Sequence, residues 1–147
     1  MYWPARIPKI NIIMKNILKY KNMLKFKNNI NYNCNLILVD NKIIKKMNLK
    51  YRKINKATDV LTFISDIDVN SKNKQKECDI LLSAEIIIQD SKKNEINFYD
   101  HLTHLIIHSF LHINGFMHNK IKEFNEMNIL EIKILNKLGI SNPYIKL

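Results

Sequence analysis

Hydrophobic residues recur along the chain at helical and strand spacings, which predict where the elements lie. From Lys9 to Lys27 apolar residues step by three and four, as on one face of a helix. A second helix is predicted after Asp40, whose side chain can cap it, and extends to about Tyr51. A last helix is predicted from about Ile121 to Leu138. Its inward residues are predicted to be Phe124, Met127, Leu135 and Leu138.

Short apolar runs between these helices predict strands. They cover Leu36–Val39, Thr58–Ile64 and Asp79–Ser83, and the third leads into a helix that begins near Ala84. The stretch Ser71–Glu77 has no periodicity and is predicted to be a mobile loop. Alternating helices and short strands indicate an α/β or α+β sandwich of one small sheet with helices. At 147 residues, the chain has the length of a single domain.

One further helix, which Asp100 can cap and which is predicted to run to Asn114, has an unusual composition. All five histidines of the chain fall between His101 and His118, and the segment from His101 to Asn119 contains no Asp, Glu, Lys or Arg. A helix that is apolar on every side is a buried helix, so its imidazoles need partners.

Spacing within this segment favours a metal site. His108 and His112 are four residues apart, so their rings project from one helical face. If Gly115 ends the helix and reverses the chain, His118 can complete a site of three nitrogens. Three protein ligands with one open position are typical of catalytic zinc. His104 is a rival third ligand, but it lies about 12 Å along the helix from His112 and is interpreted as a supporting or core residue.

The composition limits where the protein acts and what it binds. Residues 1–56 carry a net charge of +13 and the remainder −2, which fits either a phosphate-bearing partner or a solvated lysine face. No apolar run approaches the length of a membrane span, and no secretion signal is evident, so the expected location is the cytoplasm. Cys34 and Cys78 lie in no metal or disulfide pattern and are expected to be reduced, partly buried thiols.

The segment HSFLHINGFMH, from His108 to His118, resembles the HGxLHLxGYDH signature of the YbeY family of metal-dependent endoribonucleases. TDVLTF, from Thr58 to Phe63, is similar to the family's TDVLSF strand, and CDILLSAE, from Cys78 to Glu85, to its GDIxIS segment. Tyr51 and Arg52 precede the strand as in the family. The resemblance covers roughly Leu36 to Pro143, while the first 33 residues match weakly.

This resemblance implies an α+β single-domain sandwich over residues 1–147, with a small mostly parallel sheet and surrounding helices. It implies one zinc ion per chain, bound by His108, His112 and His118, and an essential Arg52 near the cleft. The implied activity is single-strand-specific cleavage in the maturation of ribosomal RNA, at the 3′ end of 16S rRNA, and in ribosome quality control. The implied partners are ribosomal RNA and the small ribosomal subunit, with no membrane and no nucleotide cofactor.

Individual residues suit this chemistry, and some depart from the family pattern. Arg52 presents a planar fork of donors that fits a phosphate, and the neighbouring Lys50, Lys53 and Lys56 could follow an RNA backbone. Met117 stands where the family has Asp, which removes a carboxylate beside a ligand histidine.

Two other functions remain open at this point. Zinc peptidases also use histidines four apart, but they carry Glu directly after the first histidine, where this chain has Ser109. The second alternative is a non-enzymatic ribosome-assembly or RNA-binding factor with a structural zinc. Cleavage of RNA or peptide, with and without a chelator, separates these functions.

Overall fold

The computed structural model of the protein describes residues 9–20, 31–64, 75–113 and 121–144. Contacts divide the chain into two compact units, the first spanning Asn29–Phe98 and the second combining Tyr2–Asn28 with Tyr99–Leu147. The single domain expected from the sequence stays a prediction. In chain order the described elements are α1 (Ile10–Leu18), β1 (Asn31–Val39), α2 (Asn41–Arg52), β2 (Val60–Ile64), β3 (Gln75–Ser83), α3 (Ala84–Lys93), α4 (Phe98–Ile113) and α5 (Ile121–Lys137).

The first unit contains a three-stranded sheet in the order β1-β3-β2. The central strand β3 pairs with β1 in parallel and with β2 in antiparallel orientation. The described strands therefore form a mixed sheet, where a mostly parallel one was expected. The predicted α+β class is confirmed.

Helix α2 packs on this sheet and begins and ends where local chemistry directs it. Asp40 Oδ1 accepts a hydrogen bond from the backbone N–H of Ile43 at 2.8 Å, as the predicted cap requires. The helix ends at Arg52, and the next residue, Lys53, adopts a left-handed backbone conformation with φ of 61°. Ile44 is fully buried and packs with Leu61 and Leu81, so the amphipathic face of α2 is fixed against strands β2 and β3.

Two cysteines connect neighbouring strands of the sheet. The parallel register places Cys34 of β1 opposite Cys78 of β3, with their Cα atoms 4.7 Å apart, and a disulfide joins them. The expectation of two reduced thiols is therefore wrong. Their separation of 44 positions gave no signal, because the strand register brings them together.

The polar ends of two strands also differ from the sequence prediction. Strand β1 begins at Asn31 rather than at Leu36, and β3 begins at Gln75, inside the stretch predicted to be a mobile loop. On the exposed side of the sheet Asn35 donates a side-chain hydrogen bond to Asp79 at 3.1 Å. The pairing of β1 with β3, together with side-chain hydrogen bonds such as this one, therefore holds the polar ends of both strands in the sheet.

The second unit contains the helices α1, α4 and α5. Helix α4 buries eight of its sixteen residues, which confirms the prediction of a buried helix. Asp100 lies in the first turn of α4 rather than before it. In α5, Met127 and Leu135 are buried as predicted, but Phe124 is 39 % exposed, so its predicted inward position is wrong.

The end of α5 and the lengths of the described helices are the remaining features of this unit. Gly139 follows α5 with φ of 77°, the left-handed conformation that commonly ends a helix. None of the helices within the described ranges has the length and apolar character needed to span a bilayer.

Candidate metal centre

Helix α4 presents a row of histidines four residues apart on one face. The Nε2 atoms of His108 and His112 lie 3.0 Å from each other. Two nitrogens bound to one tetrahedral zinc at about 2.0–2.1 Å lie about 3.3 Å apart, so this spacing is close to that of two ligands of one ion. The helical spacing that the sequence shows thus brings these two predicted ligands together.

A buried carboxylate on α5 holds the other nitrogen of His108. Glu131 is 0 % exposed, and its Oε2 lies 3.0 Å from Nδ1 of His108. Its Oε1 contacts Nε2 of His104. A carboxylate on Nδ1 fixes the ring orientation and leaves Nε2 of His108 for a ligand, as in carboxylate–histidine–metal arrangements.

Tyr144 adds a third donor to the same carboxylate. Its hydroxyl donates to Oε1 of Glu131 at 3.0 Å and lies 3.4 Å from Nε2 of His104. Burial raises the pKa of Tyr144, and the charge of Glu131 and their hydrogen bond raise it further. The hydroxyl therefore stays protonated and keeps its role as a donor.

The ionisation of Glu131 depends on its histidine partners. Burial by itself raises the pKa of Glu131, but the hydrogen bonds and charges of His104 and His108 outweigh burial and lower it from 4.5 to about 2. The carboxylate is therefore ionised at neutral pH and can accept all three hydrogen bonds.

We expect this buried carboxylate to make the metal-free protein sensitive to acid. Below pH 4.5 the unfolded carboxylate binds a proton, while that of the folded protein stays ionised until about pH 2. The free energy of unfolding should therefore be fully supported above pH 4.5 and fall by about 3 kcal/mol as pH drops to 2. Urea unfolding at several pH values measures this slope, and Glu131→Gln should flatten it. An equally steep slope in that variant would assign the effect to other groups.

Two sets of donors among the described residues of this unit could hold a metal ion. His104, His108 and Glu131 each offer a ligand atom, and these atoms lie within 4.8 Å of one another. The Nε2 pair of His108 and His112 forms the second set, for which Glu131 would be an orienting partner. Nitrogen and carboxylate donors of this kind suit zinc and other transition metals.

The remaining predicted site residues fall in other places. His118, the predicted third ligand, lies outside the described residues, as do Gly115 and Met117. Arg52 belongs to the first unit, where it is exposed in the last turn of α2. Lys50, Lys53 and Lys56 lie near it in the chain and are exposed too. Nζ of Lys50 sits 5.2 Å from the centre of the Tyr51 ring.

Ser109 occupies the position where zinc peptidases carry their general base. It is 2 % exposed, and its hydroxyl donates to the carbonyl oxygen of Leu105 at 2.8 Å. A buried hydroxyl that is bonded to its own helix cannot act as a base on bound substrate. The peptidase alternative therefore has no general base at this position.

The comparisons with known proteins assign this chain to the nucleases, a class of hydrolase. The family described as Endoribonuclease YbeY matches residues 5–139, and the chain belongs to that family. The resemblance identified from the sequence motifs is confirmed.

Curated relatives agree with this assignment. An Endoribonuclease YbeY of Ehrlichia ruminantium (strain Welgevonden) is 36 % identical over 143 residues, covering 97 % of this chain and 89 % of that protein. An Endoribonuclease YbeY of Ruthia magnifica is 38 % identical over 107 residues, covering 73 % of each chain.

The fold also resembles a solved structure. The solution structure of a protein from Thermotoga maritima matches 94 % of this chain and 95 % of its own, with a TM-score of 0.56 and 21 % sequence identity. At this identity the likeness supports the fold alone.

Proposed function

We propose that the protein is a zinc-dependent endoribonuclease that hydrolyses phosphodiester bonds of single-stranded RNA. The observation that carries the metal part is the 3.0 Å approach of the His108 and His112 Nε2 atoms, with Glu131 on the far nitrogen of His108. The family supplies the reaction class. His118 is the proposed third ligand, with one zinc ion per chain.

In the proposed centre the protein residues hold and orient the ligands. His108, His112 and His118 would hold the zinc ion, which would supply activation of water near neutral pH and polarisation of phosphoryl oxygens. Glu131 keeps the Nδ1 proton on His108, so that Nε2 is available as a ligand. Tyr144 and His104 in turn hold Glu131 in place.

Exposed cations of the first unit are the proposed contacts to the RNA backbone. Arg52 can donate two parallel hydrogen bonds to one phosphate, and Lys50, Lys53 and Lys56 supply point charges nearby in the chain. The excess of positive charge in residues 1–56 supports a polyanionic partner.

The proposed cellular substrate is ribosomal RNA on the small ribosomal subunit in the cytoplasm, including the 3′ end of 16S rRNA. This part of the proposal rests on the resemblance of the His108–His118 and Thr58–Phe63 motifs to the family's motifs.

The test is cleavage of a labelled single-stranded RNA and of a peptide by the purified zinc-loaded protein, with and without chelator. We expect cleavage of RNA that stops when the chelator removes the metal and returns with added zinc. Cleavage that persists without metal would overturn the metal-dependent mechanism. Stoichiometric zinc without any RNA cleavage would favour the assembly factor with a structural zinc instead.

We expect Arg52→Lys to lower the rate of RNA cleavage by about tenfold, because an ammonium cannot reproduce bidentate recognition of a phosphate. The zinc content and the midpoint of thermal unfolding should stay at the values of the unchanged protein, because Arg52 is exposed. The matched control is Lys42→Arg, a cation exchange at another exposed position of α2. Equal cleavage rates for Arg52→Lys, Arg52→Ala and the unchanged protein would refute the role.

A further inference from the structure

The first unit contains a cavity of about 440 Å³, most of whose lining residues have no role in the proposed hydrolysis. It lies beside the second half of α2, the start of β2 and helix α3. Arg52 is among its lining residues. Cavities of about 300–1,000 Å³ are the size of small-molecule sites, so a planar organic group has room here.

One acceptor of this cavity has no hydrogen-bond partner within the part of the chain that the structure describes. Asn48 lines the cavity, is 3 % exposed, and donates from Nδ2 to the carbonyl oxygen of Lys56 at 2.8 Å. That bond fixes the amide, and Oδ1 is buried without a hydrogen bond from any described residue. A buried acceptor without a partner costs about 1–3 kcal/mol, and a ligand with an N–H group would recover this cost.

Two carboxylates add further acceptors. Asp59 and Asp90 line the same cavity and each present an oxygen within 4.8 Å of the other. The orientation of Asp59 is fixed, because its Oδ1 accepts from the backbone N–H of Val60 at 2.7 Å and from the hydroxyl of Thr58 at 3.3 Å. Neighbouring carboxylates repel an anionic group and favour a ligand that donates hydrogen bonds from N–H groups.

Lys56 and Thr58 are polar lining residues too, while the apolar part of the wall suits a flat ring rather than an ion. Ile54, Ala57 and Ile86 line the cavity together with the acceptors. A bare cation would leave these side chains and most of the volume without a contact. A nucleobase would cover them with its faces and present its edge to the acceptors.

Guanine matches this set of acceptors best among the four bases. Its Watson–Crick edge places two adjacent donors, N1–H and the N2 amino group, where one carboxylate or two neighbouring acceptors can receive both. Adenine and cytosine offer one amino group beside an acceptor, and uracil offers one N–H. We propose that this cavity binds an unpaired guanine of the RNA substrate through Asp59, Asp90 and Asn48. Arg52, at the same cavity, binds the phosphate of that nucleotide.

This inference rests on the proposed ribonuclease function and deepens it by naming a base preference. The test uses the zinc-loaded protein and two dye-labelled uridine oligomers that differ at one position. One carries guanosine there, and the other carries inosine, which lacks only the N2 amino group. Fluorescence anisotropy gives the two dissociation constants, and cleavage of the same oligomers is measured separately.

We expect about tenfold tighter binding of the guanosine oligomer, as for loss of one hydrogen bond to a charged acceptor. Asp59→Asn and Asp90→Asn should bring the ratio of dissociation constants toward one. Asp59→Asn keeps an oxygen for the N–H of Val60, and Asp90→Asn is an independent variant if Asp59→Asn does not fold. The control Glu85→Gln, an exposed carboxylate at the start of α3, should keep the full ratio.

Each outcome decides between the two proposals. Equal binding of both oligomers by the unchanged protein, or a full preference in both Asp variants, would overturn the guanine site while leaving RNA cleavage intact. Binding with a guanosine preference but without cleavage would support the site and count against the nuclease. A preference that appears only with added Mg²⁺ would show that the carboxylates bind a cation and would also overturn the inference.

Discussion

We expect replacement of both His108 and His112 with Ala to remove zinc from the protein and to abolish metal-dependent RNA cleavage. The Nε2 atoms of these two rings lie 3.0 Å apart, and the double variant removes two of the three proposed ligands at once. Zinc bound by the remaining imidazole alone would not survive dialysis. Metal content by mass spectrometry and the cleavage rate measure the two effects, and each single variant should also lose most of its zinc.

Two controls on the same helix make this test specific. His101→Ala should retain full zinc content, because His101 precedes the proposed ligands by two helical turns. His104→Ala should also retain about one zinc per chain, since His104 contacts Glu131 rather than the Nε2 pair. Full occupancy in the double variant would rule out both candidate sets, because each contains His108. Loss of zinc in His104→Ala together with full zinc content in His112→Ala would move the metal to the set of His104, His108 and Glu131.

Glu131→Ala should weaken zinc binding by roughly 10–100-fold, because His108 then loses the carboxylate that fixes its Nδ1. The dissociation constant of Glu131→Gln for zinc should lie between those of Glu131→Ala and the unchanged protein, because the amide oxygen still accepts a hydrogen bond but carries no charge. Competition with a chromophoric chelator measures the dissociation constant, and the stoichiometry should remain about one ion per chain.

The matched control for this prediction is Lys133→Ala, an exposed position two residues further along α5. Circular dichroism at the assay temperature identifies any loss of folded protein, so that affinity is compared only between folded chains. An unchanged dissociation constant in folded Glu131→Ala would mean that Glu131 supports the helices and has no effect on the metal ligands.

Local signals made much of the fold predictable. Asp40 caps the start of α2, and Gly139 adopts the left-handed conformation just after α5. Such caps can be predicted because they depend on residues within one helical turn. The burial of α4 followed from its composition, since from His101 onward the helix has no Asp, Glu, Lys or Arg to form a solvated face.

Features set by distant partners were less predictable. The polar starts of β1 at Asn31 and β3 at Gln75 are held by pairing with each other, which no local pattern indicates. The disulfide between Cys34 and Cys78 depends on the same register.

The site was partly visible in the sequence. Spacing indicated His108 and His112, but Glu131 was missed because it lies 23 positions after His108. One signal could have found it. Met127, Glu131 and Leu135 follow one another at intervals of four, and all three are buried, so the charge lies within an otherwise apolar stripe of α5. A carboxylate at such a position needs buried donors, and a neighbouring helix rich in histidine supplies them.

The three hydrogen bonds of Glu131 also determine at which step the side chain of His108 loses its rotamer freedom. His104, His108 and Tyr144 share this carboxylate in the folded protein, so these contacts belong to the packing of the helices. The rotamer freedom of His108 is therefore lost during folding rather than at metal capture, so an arriving ion meets a ring that is already oriented. Preorganisation of this kind favours fast capture and slow release of the ion, and it couples retention of the metal to the packing of α5 and of the segment that carries Tyr144.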